Sequence, residues 1–297
     1  MAIPLKQRTL AKPVQVKGIG LHSGNPVRMT IKPAPVNHGI KFKRVDLPDA
    51  PCIPAIFQMV VDTSLATVIG NEGAIVQMIE HLMACFSGNA IDNALVEIDA
   101  YEMPVMDGSA GPYTRLIRET GIVEQDAPRY GFVVKTPIEI EQDGKFVGIY
   151  PCSSFRITCT IDFAHPVIQK QSYSLEICED SFAGEISTAR TFGFLYELEL
   201  MKQHGLARGG SLENAIVLDE IKIINPEGLR FKDEFVRHKI LDCIGDFSLL
   251  GMPFLGHVVV KKSGHAFNHA FIKEFFANKK SWETRPLKEA LEAVCRS

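Results

Sequence analysis

The sequence carries no surplus of positive charge: 32 Lys and Arg face 35 Asp and Glu, for a formal net charge of -3. A protein that coats nucleic acid needs a basic face to displace phosphate counterions, so that class is set aside; a local basic pocket for one phosphorylated ligand remains open. No stretch approaches the roughly 18 continuous apolar residues of a membrane-spanning helix. The opening MAIPLKQRTLAK lacks the apolar core of a secretion signal. Cysteine is sparse and unpatterned: seven residues at 52, 85, 152, 159, 178, 243 and 295, an odd count with no CxxC pair. That argues against a disulfide framework or a cysteine-built zinc site and for buried thiols in a reducing compartment. With 46% hydrophobic and 23% charged residues, the chain has material for a true core and no signature of disorder. The expectation is a soluble, cytoplasmic monomer that inserts in no membrane and binds no nucleic acid.

At 297 residues the chain is long enough for two domains. VQVKGIGLHSG, PVRMTIKPA and GIKFKRVDL read as strands broken by turns. In GAIVQMIEHLMACFSG, Ile75, Met78, Ile79, Leu82, Met83 and Phe86 fall at helical spacing, and Gly88 ends the run. NALVEIDA is a strand and YTRLIRETG a helix. Ile122 to Arg129 is polar, carries a proline, and is read as a linker. Beyond it, YGFVVKTPIEIEQDGKFVGIYP reads as strands turning at Asp143-Gly144, and SFRITCTIDF as a further strand. FKDEFVRHKILDCIGDFSLLG is a helix with Phe235, Ile240, Leu241 and Ile244 as its apolar positions, followed by the strand HVVVKKSGH and the helix AFNHAFIKEFFAN.

The halves share an order of strands, helix, glycine, apolar link and strand. The predicted architecture is therefore α+β with two similar domains, residues 1–124 and 130–297. A segment at about 193–217 (GFLYELELMKQHGLARGGSLENAIV) interrupts the second and reads as a βαβ-like excursion packing on the core.

Two helices hold the candidate chemistry. His238 and Asp242 are four apart in HKILDCIGD, so they share a helix face and can reach one ion, with Asp246 one turn on. By spacing alone, such a pair is more often a simple surface hydrogen bond. Glu80 and His81 are polar in an otherwise apolar segment, where an unpartnered buried carboxylate costs several kcal/mol, roughly. A solvated stripe explains that segment equally well. Together, three ligands with an open fourth position and an adjacent carboxylate match hydrolytic zinc chemistry, and imidazole with carboxylate also suits Fe²⁺. His265, in a glycine turn after a strand, and Thr191, in ARTFGF, offer an acid and a hydroxyl. His22, His38, His165, His204, His257 and His269 read as surface or core residues.

The chain resembles the UDP-3-O-acyl-N-acetylglucosamine deacetylase family. The likeness rests on KQRTL (6–10), GIGLHSG (18–24), EHLMA (80–84), IDN (91–93), MDGSAGPY (106–113), TIDFAHP (160–166), ARTFGF (189–194), GLRFKDEFVRHKILDCIGD (228–246) and KSGH (262–265). It implies two α+β domains, each a sheet with two helices, the helices sandwiched between the sheets. It implies zinc on His81, His238 and Asp242, Glu80 as general base, and His265 as acid or charge stabiliser oriented by Asp246. Thr191 would donate to the oxyanion and Lys239 would contact substrate near the metal. Phe163 and Asp162 would hold uridine. Lys262 would meet the diphosphate with Lys145, the latter placed by an alignment with a one-residue gap. Phe192, Phe194 and Gly210 join the substrate-binding set, and the segment from Gly193 becomes a passage for the acyl chain. Some relatives carry a cysteine near the metal where this chain has Ala66. The implied reaction is zinc-dependent hydrolysis of the N-acetyl group of UDP-3-O-acyl-N-acetylglucosamine, the committed step of lipid A biosynthesis. The rival readings are a zinc amidase for another acylated amino sugar and a non-catalytic sugar-nucleotide binder.

Overall fold

The computed structural model describes residues 3–294. The first half contains β1 (Lys6–Leu10), β2 (Val14–Ile19), β3 (Pro26–Pro33), β4 (Ile40–Arg44), β5 (Cys52–Pro54), β6 (Val60–Asp62), β7 (Val68–Asn71), β8 (Ala74–Gln77), α1 (Glu80–Gly88), β9 (Ala94–Ile98) and α2 (Gly111–Thr120). The second contains β10 (Ile122–Pro128), β11 (Tyr130–Val134), β12 (Ile138–Gln142), β13 (Lys145–Tyr150), β14 (Phe155–Phe163), β15 (Gln169–Glu176), the single turn α3 (Glu179–Ser181), β16 (Phe192–Phe194), α4 (Leu195–Gln203), β17 (Ile216–Leu218), α5 (Glu234–Ser248), β18 (Phe254–Lys261), α6 (His265–Ala277), β19 (Trp282–Pro286) and α7 (Leu287–Val294).

The halves repeat one topology. In the first, β2-β3-β9-β4-β5 pair antiparallel, antiparallel, parallel and antiparallel. In the second, β12-β13-β18-β14-β15 pair in the same sequence of directions. In each, one helix (α1 or α5) precedes the central strand and another (α2 or α6) follows it. The mixed α+β architecture expected from the shared order is the one observed. The β12–β13 hairpin turns where Asp143-Gly144 predicts, both residues at positive φ (52° and 73°), as a tight hairpin of right-handed twist requires.

Three expectations need correction. Ile122 to Arg129 is no linker: β10 pairs antiparallel with β1, its half-buried alternation hidden by a polar composition. The first helix starts at Glu80, not near Ile75. Ala74–Gln77 is strand β8, and Met78 at φ 63° reverses the backbone before the helix, so the apparent helical period crosses two elements. Nor are the thiols uniformly buried: Cys85, Cys159 and Cys243 are, Cys52 is exposed, and Cys152 and Cys178 lie between, while Cys295 falls outside the described residues. All six described cysteines are free.

One apolar core runs through both halves. On α5, Phe235, Ile240, Leu241, Ile244 and Phe247 are each 1% exposed or less, and burial of such side chains is worth about 1.5–3 kcal/mol apiece. α1 and α5 pack against each other at Gly245, where any β-carbon would collide with the Glu80 backbone. That close approach sets the first turn of α1 beside the C-terminal part of α5.

Candidate active site

The α1–α5 crossing brings His81, His238 and Asp242 together, all buried, with one donor atom from each within 4.8 Å of the others. Asp242 Oδ1 lies 3.5 Å from His81 Nε2 and 3.3 Å from His238 Nε2. Those separations match the edge of a tetrahedron with arms of about 2.0–2.1 Å, which is about 3.3–3.4 Å. The donors are also oriented. Lys239 Nζ holds the other Asp242 oxygen at 2.8 Å, and the Ala189 carbonyl sits 3.1 Å from His238 Nδ1, leaving Nε2 to face inward. Burial pushes His238 down to about 3 despite Asp242 beside it, so the imidazole is neutral as a ligand must be. Burial would raise Asp242, but His238, Lys239 and His81 hold it well below the usual carboxylate range. A neutral-imidazole and carboxylate set of this spacing can hold a divalent metal such as zinc.

Glu80 stands in the first turn of α1, 4% exposed. Burial raises its carboxyl above the ordinary value, partly opposed by His265 and His81. Its Oε1 lies 3.9 Å from His265 Nε2, leaving a gap between base and imidazole. His265 opens α6, and its Nδ1 donates to Asp246 Oδ2 at 2.8 Å. Burial works against the imidazolium, yet Asp246 and Glu80 bring it up to about 10. The site thus pairs a buried carboxylate with a protonated imidazole, the inventory of a proton-transfer centre.

A cavity of about 360 Å³ joins Glu80, His81, His238, Asp242, Lys239 and His265 to Thr191, Phe192 and Gly210. Thr191 is pinned through its backbone, donating N–H to Gly108 O and accepting from Ile216 N–H, each at 2.8 Å. Next to it, buried Arg190 binds Glu234 of α5 at 2.9 Å, which ties ARTFGF to the metal-bearing helix. The parallel pair β16–β17 flanks α4, and Leu195, Leu198, Met201, Ala215 and Val217 extend the cavity as an apolar wall.

The other proposed substrate residues lie outside this cavity, beyond its Phe192 wall. Phe163 packs on Phe192 at 5.6 Å and on Phe194 at 6.2 Å between ring centroids. Lys239 Nζ lies 5.7 Å from the Phe192 centroid. Asp162 and Lys262 form an exposed ion pair at 2.7 Å. Lys145 starts β13, one residue before Phe146, which pairs with Lys261 at the end of β18, the residue before Lys262. A larger cavity, about 580 Å³, lies at the other end of α1 and contains none of these residues.

Pattern reading missed several participants. His22, expected at the surface or in the core, lines the cavity, its backbone N–H donating to Glu102 Oε1 at 2.6 Å. Asn268 donates to Asp246 Oδ2 at 2.8 Å. It stands three residues after His265 on one helix, a spacing that could have flagged it. Thr67 reaches Asp246 and Glu80 from the loop before β7, and no spacing links it to either.

Comparison with known proteins identifies the family of the chain. The family model described as "LpxC: UDP-3-O-acyl N-acetylglycosamine deacetylase" matches residues 7–277. A protein of Myxococcus xanthus named UDP-3-O-acyl-N-acetylglucosamine deacetylase is 52% identical over 280 residues, covering 94% of this chain and 89% of the relative. Proteins of the same name from Anaeromyxobacter dehalogenans and Xylella fastidiosa are 48% and 45% identical, covering 92% and 94% of this chain and 88% and 92% of their own. The chain belongs to the LpxC family of UDP-3-O-acyl N-acetylglycosamine deacetylases.

Proposed function

We propose that this protein hydrolyses the N-acetyl group of UDP-3-O-acyl-N-acetylglucosamine, releasing acetate and UDP-3-O-acyl-glucosamine, the committed step of lipid A biosynthesis. One observation carries the reading: a His81–His238–Asp242 donor set gathered within 4.8 Å, flanked by Glu80 and His265, opens into an apolar cavity. His81, His238 and Asp242 would hold zinc, Fe²⁺ being the other ion suited to these donors. Bound there, zinc supplies a Lewis acid that lets water ionise near neutral pH.

The chain's own residues do the rest. Glu80 Oε1 accepts a proton from the attacking water, helped by the burial that raises its carboxyl. The Thr191 hydroxyl, on its pinned backbone, donates to the oxyanion that develops on the acetyl carbonyl. His265, protonated and steadied by Asp246, gives its Nε2 proton to the departing amine. Lys239, buttressed by Asp242, presents its charge to substrate beside the metal. The wall of Leu195, Leu198, Met201, Ala215 and Val217, with Phe192 and Gly210, takes the 3-O-acyl chain, and Phe194, outside the cavity against Phe163 and Tyr196, would meet the substrate beyond it. Phe163 stacks on uracil beside Asp162, and Lys262 with Lys145 faces the diphosphate. The reaction would take place in the cytoplasm, a reducing compartment in keeping with the six described cysteines all being free.

The test is acetate release by purified protein, lost on chelation, restored by zinc and competed by UDP. Absence of acetate from the zinc-loaded protein would sink the reading, and activity indifferent to UDP would favour an amidase for another acylated amino sugar.

A further inference from the structure

Thr67 is 2% exposed and sits just before β7, outside the wall of the catalytic cavity. Its hydroxyl donates to Asp246 Oδ1 at 2.6 Å, and its backbone N–H donates to Glu80 Oε2 at 3.2 Å. One residue therefore grips both carboxylates of the proton-transfer centre. The Asp246 carboxylate is filled by three donors: Thr67 on Oδ1, and His265 Nδ1 and Asn268 Nδ2 on Oδ2, both at 2.8 Å. With both oxygens taken, Asp246 has one orientation, and His265 is held with Nε2 toward Glu80. The N–H on Glu80 Oε2 has a parallel effect. It occupies that oxygen and leaves Oε1, the one 3.9 Å from His265 Nε2, to face the reacting water.

We propose that Thr67 is a positioning residue for the deacetylation, a clip that fixes the spacing and facing of the base and the acid without touching substrate. The proposal rests on the deacetylase reading above. A residue that orients reacting groups from behind affects turnover and not binding. Removal of comparable outer hydrogen-bond partners costs about 10- to 100-fold.

The experiment compares Thr67→Val, Thr67→Ser and native protein for kcat, KM, zinc content and thermal melting. Valine keeps the shape and the backbone N–H but removes the hydroxyl. The expected result for Thr67→Val is a kcat lower by about tenfold or more, with KM within twofold, zinc at native stoichiometry and a native-like melt. Thr67→Ser is expected to recover kcat to within about threefold of native, because it restores the donor to Asp246. A kcat within twofold of native for Thr67→Val overturns the proposal. So does a raised KM at native kcat, loss of zinc, or a serine variant no better than the valine one. If Thr67→Val does not fold, Thr67→Ala is read against Thr67→Ser by the same criteria. Native protein that releases no acetate refutes the deacetylase reading itself; active native protein beside an equally active Thr67→Val refutes only the clip.

Discussion

The α1–α5 crossing makes Gly245→Ala an informative perturbation. On an isolated helix the change should help, because alanine is favoured over glycine by about 1 kcal/mol. Here the added β-carbon would lie 2.8 Å from the Glu80 carbonyl carbon and 2.9 Å from its Cα. Carbon–carbon contacts relax to about 3.5–4.0 Å, so α1 and α5 must part by roughly 0.6–1.2 Å. Overpacking of this kind costs about 1–3 kcal/mol, which cancels or exceeds the propensity gain. The larger effect falls on the site, because the ligand set spans that crossing. His81 is on α1, and its 3.5 Å separation from Asp242 on α5 would lengthen by a similar amount, past what arms of about 2.1 Å can bridge. A displacement of about 1 Å at a reacting centre costs about 100-fold. Zinc retention against a competing chelator and kcat/KM for acetate release are therefore both expected to fall, kcat/KM by about 100-fold, while the protein stays folded. Gly184→Ala, where a β-carbon would meet nothing within 4 Å, is the control and should leave both unchanged. Zinc retention within twofold of native and kcat/KM within threefold in Gly245→Ala would refute the argument that this crossing sets the site.

Other outcomes follow from single contacts. Glu80→Gln keeps an acceptor for the Thr67 N–H but removes the base, so kcat should fall about 10²- to 10⁴-fold with zinc retained; near-native turnover would remove Glu80 from its role. Arg190→Ala leaves the fully buried Glu234 with the backbone N–H groups of residue 190 and Arg230, at 3.0 and 2.6 Å, but without its countercharge, and should cost about 3–5 kcal/mol in urea unfolding; a loss below about 1 kcal/mol would mean that the backbone donors alone hold the carboxylate. The metal-free protein should be most stable near pH 6.5. Between about 3 and 6.5 the unfolded state protonates His238 and the folded state does not, so stability rises with pH. His265 is raised to about 10, so its stabilisation is complete below 6.5 and is lost as pH climbs toward 10. Melting temperatures in chelator across pH 4–9 check this, and His265→Ala should flatten the alkaline limb alone.

Much of this protein was legible from residue patterns because those patterns are local. Apolar spacing located α5 and its buried face, Asp143-Gly144 located a hairpin, and i, i+4 spacing put His238 and Asp242 on one face. Repeated order suggested two similar halves, and the shared pairing directions of the two sheets agree. Local patterns also misled. The polar β10 looked like a linker because an edge pairing leaves little apolar signature, and the run from Ile75 into α1 looked continuous because periodicity does not register a single residue at positive φ.

What sequence spacing could not decide is which faces meet. His81 and His238 are 157 positions apart (238 − 81), and nothing local states that their helices cross at Gly245. Only packing makes a three-donor cluster from two unremarkable pairs, because a glycine lets two backbones approach and a shared core presses them together. The same holds for Thr67, whose two bonds join a loop, α1 and α5. Residue types and short spacings determined which chemistry was available; the crossing of α1 and α5, a long-range contact set by core volume, decided where it is assembled.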